Sequence, residues 1–400
     1  MNSLYLTKRG ILPVQKLKIL VANGVIHSDP DYPIEENQYQ PNSLDLRLGK
    51  TAYRVRCGFL PENETVESKI HKLMQHSFPI TDGAVLEPNC TYIIPLLEQL
   101  HLPKSGESIQ KNLFQGNDAE GLFRVYSDTH ISAKTNPKST TGRLDIFTRL
   151  VTDFSHRFEE IAPGYQGPLY LEVVPKSFPI RIRTGQRLNQ LRIRHGNSLV
   201  ADEELLGIHS LDPILLNEHG EPLVESQLKV DGGLFMSMNL HGEEGAIVGY
   251  KARKNRDLID LDRIDHYKIS EFWDPIYARQ DDYLILEPEA FYIFASKERC
   301  RIPLHLAAEM VPYDTGSGEL RTHYAGFFDS GFGGTRQDGG ARAVLEVRSH
   351  DVPFLIEDGQ TLFRMIFELN TEIPEIAYGR EIKSNYQGQS LKLSKHFKSA

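Results

Sequence analysis

Apolar residues in this chain fall in short runs, many of them alternating with polar ones. PNSLDLRLG (Pro41–Gly49) sets Leu44, Leu46 and Leu48 against Asp45 and Arg47, the period of two that predicts a half-buried strand with its charges toward water. TYIIPLL, LYLEVV, FPIRIR, YLILEP, FYIFA, AVLEV and RMIFEL read as further strands, separated by clusters of Gly, Pro, Asn and Asp. The opening segment reads as a short amphipathic helix, with Pro13 near its first turn and Asn23-Gly24 as its stop, and a few short helices are expected in all. One strand is anomalous. VLEVRSHDVPF (Val344–Phe354) carries Glu346 among apolar neighbours, and an ionised carboxylate is rarely buried without a partner.

The pattern repeats. LEPNCTYIIPLLEQLHLP (Leu86–Pro103) returns as LEPEAFYIFASKERCRIP (Leu286–Pro303), an offset of 200. LEVVPKSFPIRIRTGQRL (Leu171–Leu188) returns as LEVRSHDVPFLIEDGQTL (Leu345–Leu362), an offset of 174. Two matches in one order predict a tandem duplication of a mainly β unit, a sandwich, jelly roll or barrel. The expected division is a first domain over 1–205, a connector over 206–228, a second domain over 229–376 and a tail over 377–400.

Composition narrows the class. With 40% hydrophobic and 25% charged residues the chain is ordinary for a soluble protein, and its net charge of −9 argues against a general nucleic-acid binder. No apolar run is long enough to span a membrane. Lys16 and Lys18 interrupt the first apolar stretch, which fails as a signal peptide. Cys57, Cys90 and Cys300 are odd in number and far apart, so they read as buried thiols of a reducing compartment, and the expected location is cytoplasmic. Two HxE triplets, at His219 and His241, lack the PCxxC pair that a zinc deaminase needs, so no zinc is expected.

Three segments carry candidate chemistry. NPKSTTGRLDIF (Asn136–Phe147) gathers a lysine, three hydroxyls, a glycine and an arginine behind a proline. Such a turn suits phosphate oxygens, although a plain helix cap with a surface arginine fits it locally as well. HYAGFFDSGFGG (His323–Gly334) is a glycine-punctuated aromatic hairpin just before the Glu346 strand. The polar, basic end SNYQGQSLKLSKHFKSA reads as a free tail or as a lid over a polyphosphate.

Taken together, PNSLDLRLG, PKSTTGR, PGYQGPLYLEV, YAGFFDSGFGG…AVLEV and the Tyr-x-x-Gln tail resemble the dCTP deaminase branch of the dUTPase-like family, here in tandem form. The resemblance implies two distorted β-barrel (β-clip) domains, a trimer-like homo-oligomer, and sites that pair a phosphate loop with a neighbouring unit's hairpin. It implies Lys138, Ser139, Thr140 and Arg143 as the phosphate loop, with Ala325 and Asp329 reading the nucleoside. Tyr386 and Gln389 would close over the phosphates. The first copy's hairpin has Ala162 where the family has aspartate, and the second copy's loop shrinks to DTGSGELR, with Ser317 and Arg321 as weak matches. A working site would therefore join the first copy's loop to the second copy's hairpin.

The implied activity is hydrolytic deamination of dCTP to dUTP and ammonia. Magnesium would arrive on the substrate triphosphate, and Glu346 would shuttle protons with a pKa raised by its apolar strand. Ser139 and Arg143 would assist, and Glu172, the twin of Glu346, is either a relic held by an ion pair or a second catalytic candidate. The residues leave open a dUTP pyrophosphatase, a bifunctional deaminase-diphosphatase and a non-catalytic nucleotide binder.

Overall fold

The structure is a computed structural model and describes residues 9–104, 131–312, 320–322, 326–349, 351–379 and 390–398. Strands dominate it, joined by a few short helices. The opening helix, Val14–Ala22, starts from Pro13 in extended conformation and stops at Asn23, whose N–H bonds Ile19. Gly24 follows in the left-handed region, where glycine carries no steric penalty.

Each half contains one six-stranded sheet with the same pairing order. In the first half Met74–Pro79, Thr51–Val55, Thr91–His101, Gln166–Pro175 and Ile146–Thr152 lie side by side, with Ile26–Ser28 also on Thr91–His101. In the second half Trp273–Tyr277, Ile247–Ala252, Phe291–Cys300, Ala341–Ser349 and Leu320–Thr322 repeat that order, with Leu215–Leu216 on Phe291–Cys300. Glu172 pairs with Ile93 on its neighbouring strand, and Glu346 pairs with Ile293 on the corresponding one. A second sheet in each half centres on Arg187–His195 and on Thr361–Leu369.

The two halves share their interior. The second-half sheet turns Tyr250, Ile293 and Val344 into the main core, which is built chiefly from first-half residues, while Leu345, Val347 and Phe294 face the second-half core. A short parallel pairing, Ile180 against Ile259, also joins the halves. Residues 206–228 hold most of the helix Asp202–Leu211 and the strand Leu215–Leu216, with Ile214 and Leu215 in the second core.

Two readings of the sequence need correction. Asp45 and Arg47 do not face water; they are 2% and 3% exposed, beside fully buried Leu44, Leu46 and Leu48. Both faces of this strand are covered, so each charge takes a partner. Arg47 Nε donates to Glu98 at 2.7 Å, and Lys138 reaches Asp45. Of the cysteines only Cys300 is buried; Cys57 is exposed and Cys90 lies between. Cys57 follows the end of the strand Thr51–Val55 and precedes the helix Val66–Leu73, outside either core.

Candidate active site

The segment Asn136–Phe147 folds as a turn leaving a strand. Pro137 ends a strand, Lys138 is extended, and Ser139–Gly142 make a single helical turn with Arg143 at its end. Thr141 Oγ1 donates to the Leu188 carbonyl at 2.8 Å, tying the turn to the strand Arg187–His195. Ser139 is exposed, Lys138 and Thr140 are half-buried, and Arg143 is buried. The turn therefore offers one hydroxyl outward and sends its guanidinium inward.

Arg143 points at the anomalous glutamate. Its Nε lies 4.0 Å from Glu346 Oε1, with both side chains almost fully enclosed, and its Nη1 donates to the Lys392 carbonyl at 2.9 Å. Strand alternation explains the encounter. Val344, Glu346 and Arg348 share the face turned toward the first half, and Arg348 in turn binds Asp145, two residues beyond Arg143. Two opposite-charge pairs thus link the exit of the turn to the strand Ala341–Ser349. Burial pushes the Glu346 carboxyl up to about 8, outweighing the opposing pull of Arg143.

Glu172 occupies the equivalent register and a different environment. Its face of the sheet is closed by its own half, in a small cluster of Val55, Val66, Ile70, Ile93 and Val151. Arg149 Nη2 holds Oε1 at 2.6 Å, and Oε2 is buried without a hydrogen-bond partner. A Cβ on Gly58 would stand 2.4 Å from that oxygen, so the loop backbone seals the position. Burial raises the Glu172 pKa too, with Arg149 opposing.

The expected hairpin is not formed among the described residues: Phe327–Phe328 pairs with Leu306–Pro312, in a different sheet from the Glu346 strand. Asp329 is buried just after that short strand, and its side-chain partners are from the first half. Arg192 Nη2 donates to Oδ1 at 2.9 Å, and Ser43 Oγ to Oδ2 at 3.4 Å. Burial raises its pKa against the attraction of Arg192, and the charges of Asp45 and Lys138 also reach it. Lys138 and Asp45 therefore lie near Asp329 as well as beside the turn. A cavity of about 410 Å³ opens here, lined by Lys138, Thr140, Arg187, Lys395 and His396 among others. Its cations face two carboxylates, buried Asp45 and exposed Asp262.

The C-terminal segment 390–398 is docked over this region. Ser394 Oγ donates to the Thr140 carbonyl at 3.4 Å, and Phe397 packs among Tyr267, Phe272 and Trp273. Burial lowers the pKa of Lys395, helped by Lys138, and holds that of His396 at about 4. Ala325, Ser317, Tyr386 and Gln389 lie outside the described residues. Asp145, Arg192, Arg348 and Lys395 were not singled out from the sequence. Only the last had a signal there, as part of the basic tail. Among the described residues no group of three His, Cys, Asp or Glu side chains is placed to hold a metal ion. None of the helices described is long and apolar enough to cross a membrane.

Repeated β units and a turn-to-strand site built across them define a protein of the dUTPase-like class. The N-terminal domain model of 2′-deoxycytidine 5′-triphosphate deaminase matches residues 8–112 and 124–197, and the C-terminal domain model matches 201–397. The crystal structure of 2′-deoxycytidine 5′-triphosphate deaminase from Agrobacterium tumefaciens is 41% identical, covers 93% of this chain and 98% of its own, and superposes with a TM-score of 0.79. A dCTP deaminase from Ignicoccus hospitalis is 23% identical over 153 residues, 38% of this chain and 67% of that protein. The chain belongs to the 2′-deoxycytidine 5′-triphosphate deaminase family, a family of enzymes.

Proposed function

We propose that the chain hydrolyses dCTP to dUTP and ammonia, with Glu346 moving every proton at the base. The observation that carries this reading is the 4.0 Å approach of Arg143, from the first half, to Glu346, from the second. It supports a site assembled from the better-kept part of each repeat. Lys138, Ser139, Thr140 and Arg143 would hold a magnesium-bound triphosphate, and Asp329, with Ala325, the nucleoside. Tyr386 and Gln389 would close the site from the tail. The two-unit architecture, with its repeated sheet order, supports a tandem duplication; such chains would associate as a trimer-like homo-oligomer.

A carboxyl that holds its proton up to about pH 8 can begin the reaction as an acid. Glu346 protonates N3 of cytosine, which makes C4 electrophilic, and the resulting carboxylate takes a proton from water as its oxygen adds to C4. Glu346 then passes that proton to the amino group. The C4–N4 bond breaks, ammonia leaves, and the C4 hydroxyl returns a proton to Glu346 as the carbonyl forms. Arg143 stabilises the carboxylate stages. This sequence asks nothing of a metal at the base. Glu172, sealed under Gly58 and bound to Arg149, serves the fold.

Product analysis tests the assignment. With dCTP, ammonia and dUTP should appear in equal amounts without pyrophosphate. Pyrophosphate release from dUTP would indicate the diphosphatase instead, and tight dCTP binding without ammonia would indicate a binding protein.

A further inference from the structure

A second cavity, of about 290 Å³, lies at the seam of the two halves and none of the proposed site residues lines it. Its first-half wall includes Lys176, and its second-half wall includes Arg253, Lys254, Arg256, Glu289 and Arg348. Five cations thus face one carboxylate, in a chain whose net charge is −9. Arg253 is satisfied by Asp274 at 2.7 Å. Among the described residues Lys176, Lys254 and Arg256 meet no carboxylate within ion-pair distance. Arg348 is 5% exposed; it binds Asp145 and the Glu289 carbonyl and lies 3.8 Å from the Glu289 carboxylate, while its Nε has no hydrogen-bond partner. Like charges crowded into a concave space repel one another, and an anion that accepts from several of them relieves that cost.

We propose that this cavity is a second, regulatory binding site for a phosphate-bearing anion. Fixed guanidinium groups together with flexible ammonium groups suit the several oxygens of a phosphate better than a single carboxylate. The volume suits one to three phosphate groups rather than a duplex or an extended nucleic-acid strand. The ligand touches both halves. It also shares Arg348 with Asp145, and Asp145 leads back through the chain to Arg143. Filling the cavity therefore loosens the support of the Arg143–Glu346 pair and lowers turnover. That last step rests on the deaminase reading above; the binding itself does not.

The test uses the full-length chain with inorganic phosphate and with tripolyphosphate as probes, against sodium chloride at equal ionic strength. Lys254→Ala/Arg256→Ala changes two exposed side chains outside either core, and Lys138→Ala controls for binding at the active site. By linkage, either probe should raise the melting temperature of the wild type and of Lys138→Ala. The double variant should need at least tenfold more of it for the same shift. Equal shifts in wild type and double variant, or an equal shift with chloride, would overturn the site. In turnover assays a probe that binds should lower kcat at least twofold in the wild type, at saturating dCTP, and leave the double variant unchanged. Binding with kcat unaffected would overturn the regulatory role and leave the site standing. Absence of ammonia release under any condition would count against the deaminase reading alone.

Discussion

Arg348 binds the carboxylate of Asp145 across the seam between the halves, and each residue stands two positions along the chain from a member of the Arg143–Glu346 pair. Both side chains are enclosed, Asp145 completely. Asp145 also takes up a left-handed backbone conformation, φ 57°, and accepts from Ser177. These restraints fix where the turn ends, and so where Arg143 can point. The pair acts as a brace, not as part of the chemistry.

Breaking that brace from one side leaves an uncompensated charge in the interior. Arg348→Met should cost about 3–5 kcal/mol of stability, measured by urea unfolding. Asp145→Asn/Arg348→Met should recover part of that loss, giving a coupling energy of about 1–3 kcal/mol in the double-mutant cycle. Additive single costs would mean that the pair carries no mutual energy.

Titration of Glu346 should be visible twice. The folded chain keeps this proton up to about pH 8, whereas the ordinary value is 4.5. The folded state therefore binds more protons between those limits, and stability falls as pH rises through the window. Glu346→Gln removes that dependence, so its melting temperature relative to wild type should rise from pH 5 to pH 8 and then level off. The kcat/KM of the wild type should decline above an apparent pKa near 8, since the protonated acid starts the reaction. A rate that climbs through pH 8 would contradict the assigned starting state.

Arg192 reaches from the first half to three consecutive residues, Phe327, Phe328 and Asp329. Its guanidinium lies 3.9 Å from the Phe327 ring centroid, bonds the Phe328 carbonyl at 3.5 Å and donates to Asp329 at 2.9 Å. Its role is to position the segment that carries Asp329. Arg192→Met should raise KM for dCTP about tenfold, or about 1.4 kcal/mol of binding, with a smaller fall in kcat. A loss confined to kcat would assign Arg192 a different part.

The sequence carried more of the fold than of the site's supports. The matching LEP and LEV segments were enough to predict two similar β units, because side-chain alternation and turn residues are local properties. The anomalous position of Glu346 was also legible, since a charge inside an apolar strand is visible in one dimension. What was not legible is which surface covers each face. Asp45 and Arg47 look solvent-exposed until Lys138 and Glu98 arrive from elsewhere in the chain. Arg348 differs from its first-copy counterpart, Val174, by one charge in an otherwise similar strand, and nothing local names Asp145 as its partner. The contrast between the two glutamates is likewise tertiary. Glu172 is closed by Gly58 and its own half, Glu346 by the turn of the other half.

The most direct test compares those two glutamates. Ammonia released from saturating dCTP should fall roughly 10³-fold in Glu346→Gln, with dCTP still bound at near wild-type affinity. Glu172→Gln should stay within about threefold of wild type, less than about 1 kcal/mol in the barrier. Near-normal ammonia release by Glu346→Gln, or its loss in Glu172→Gln with the fold intact, would contradict the assignment.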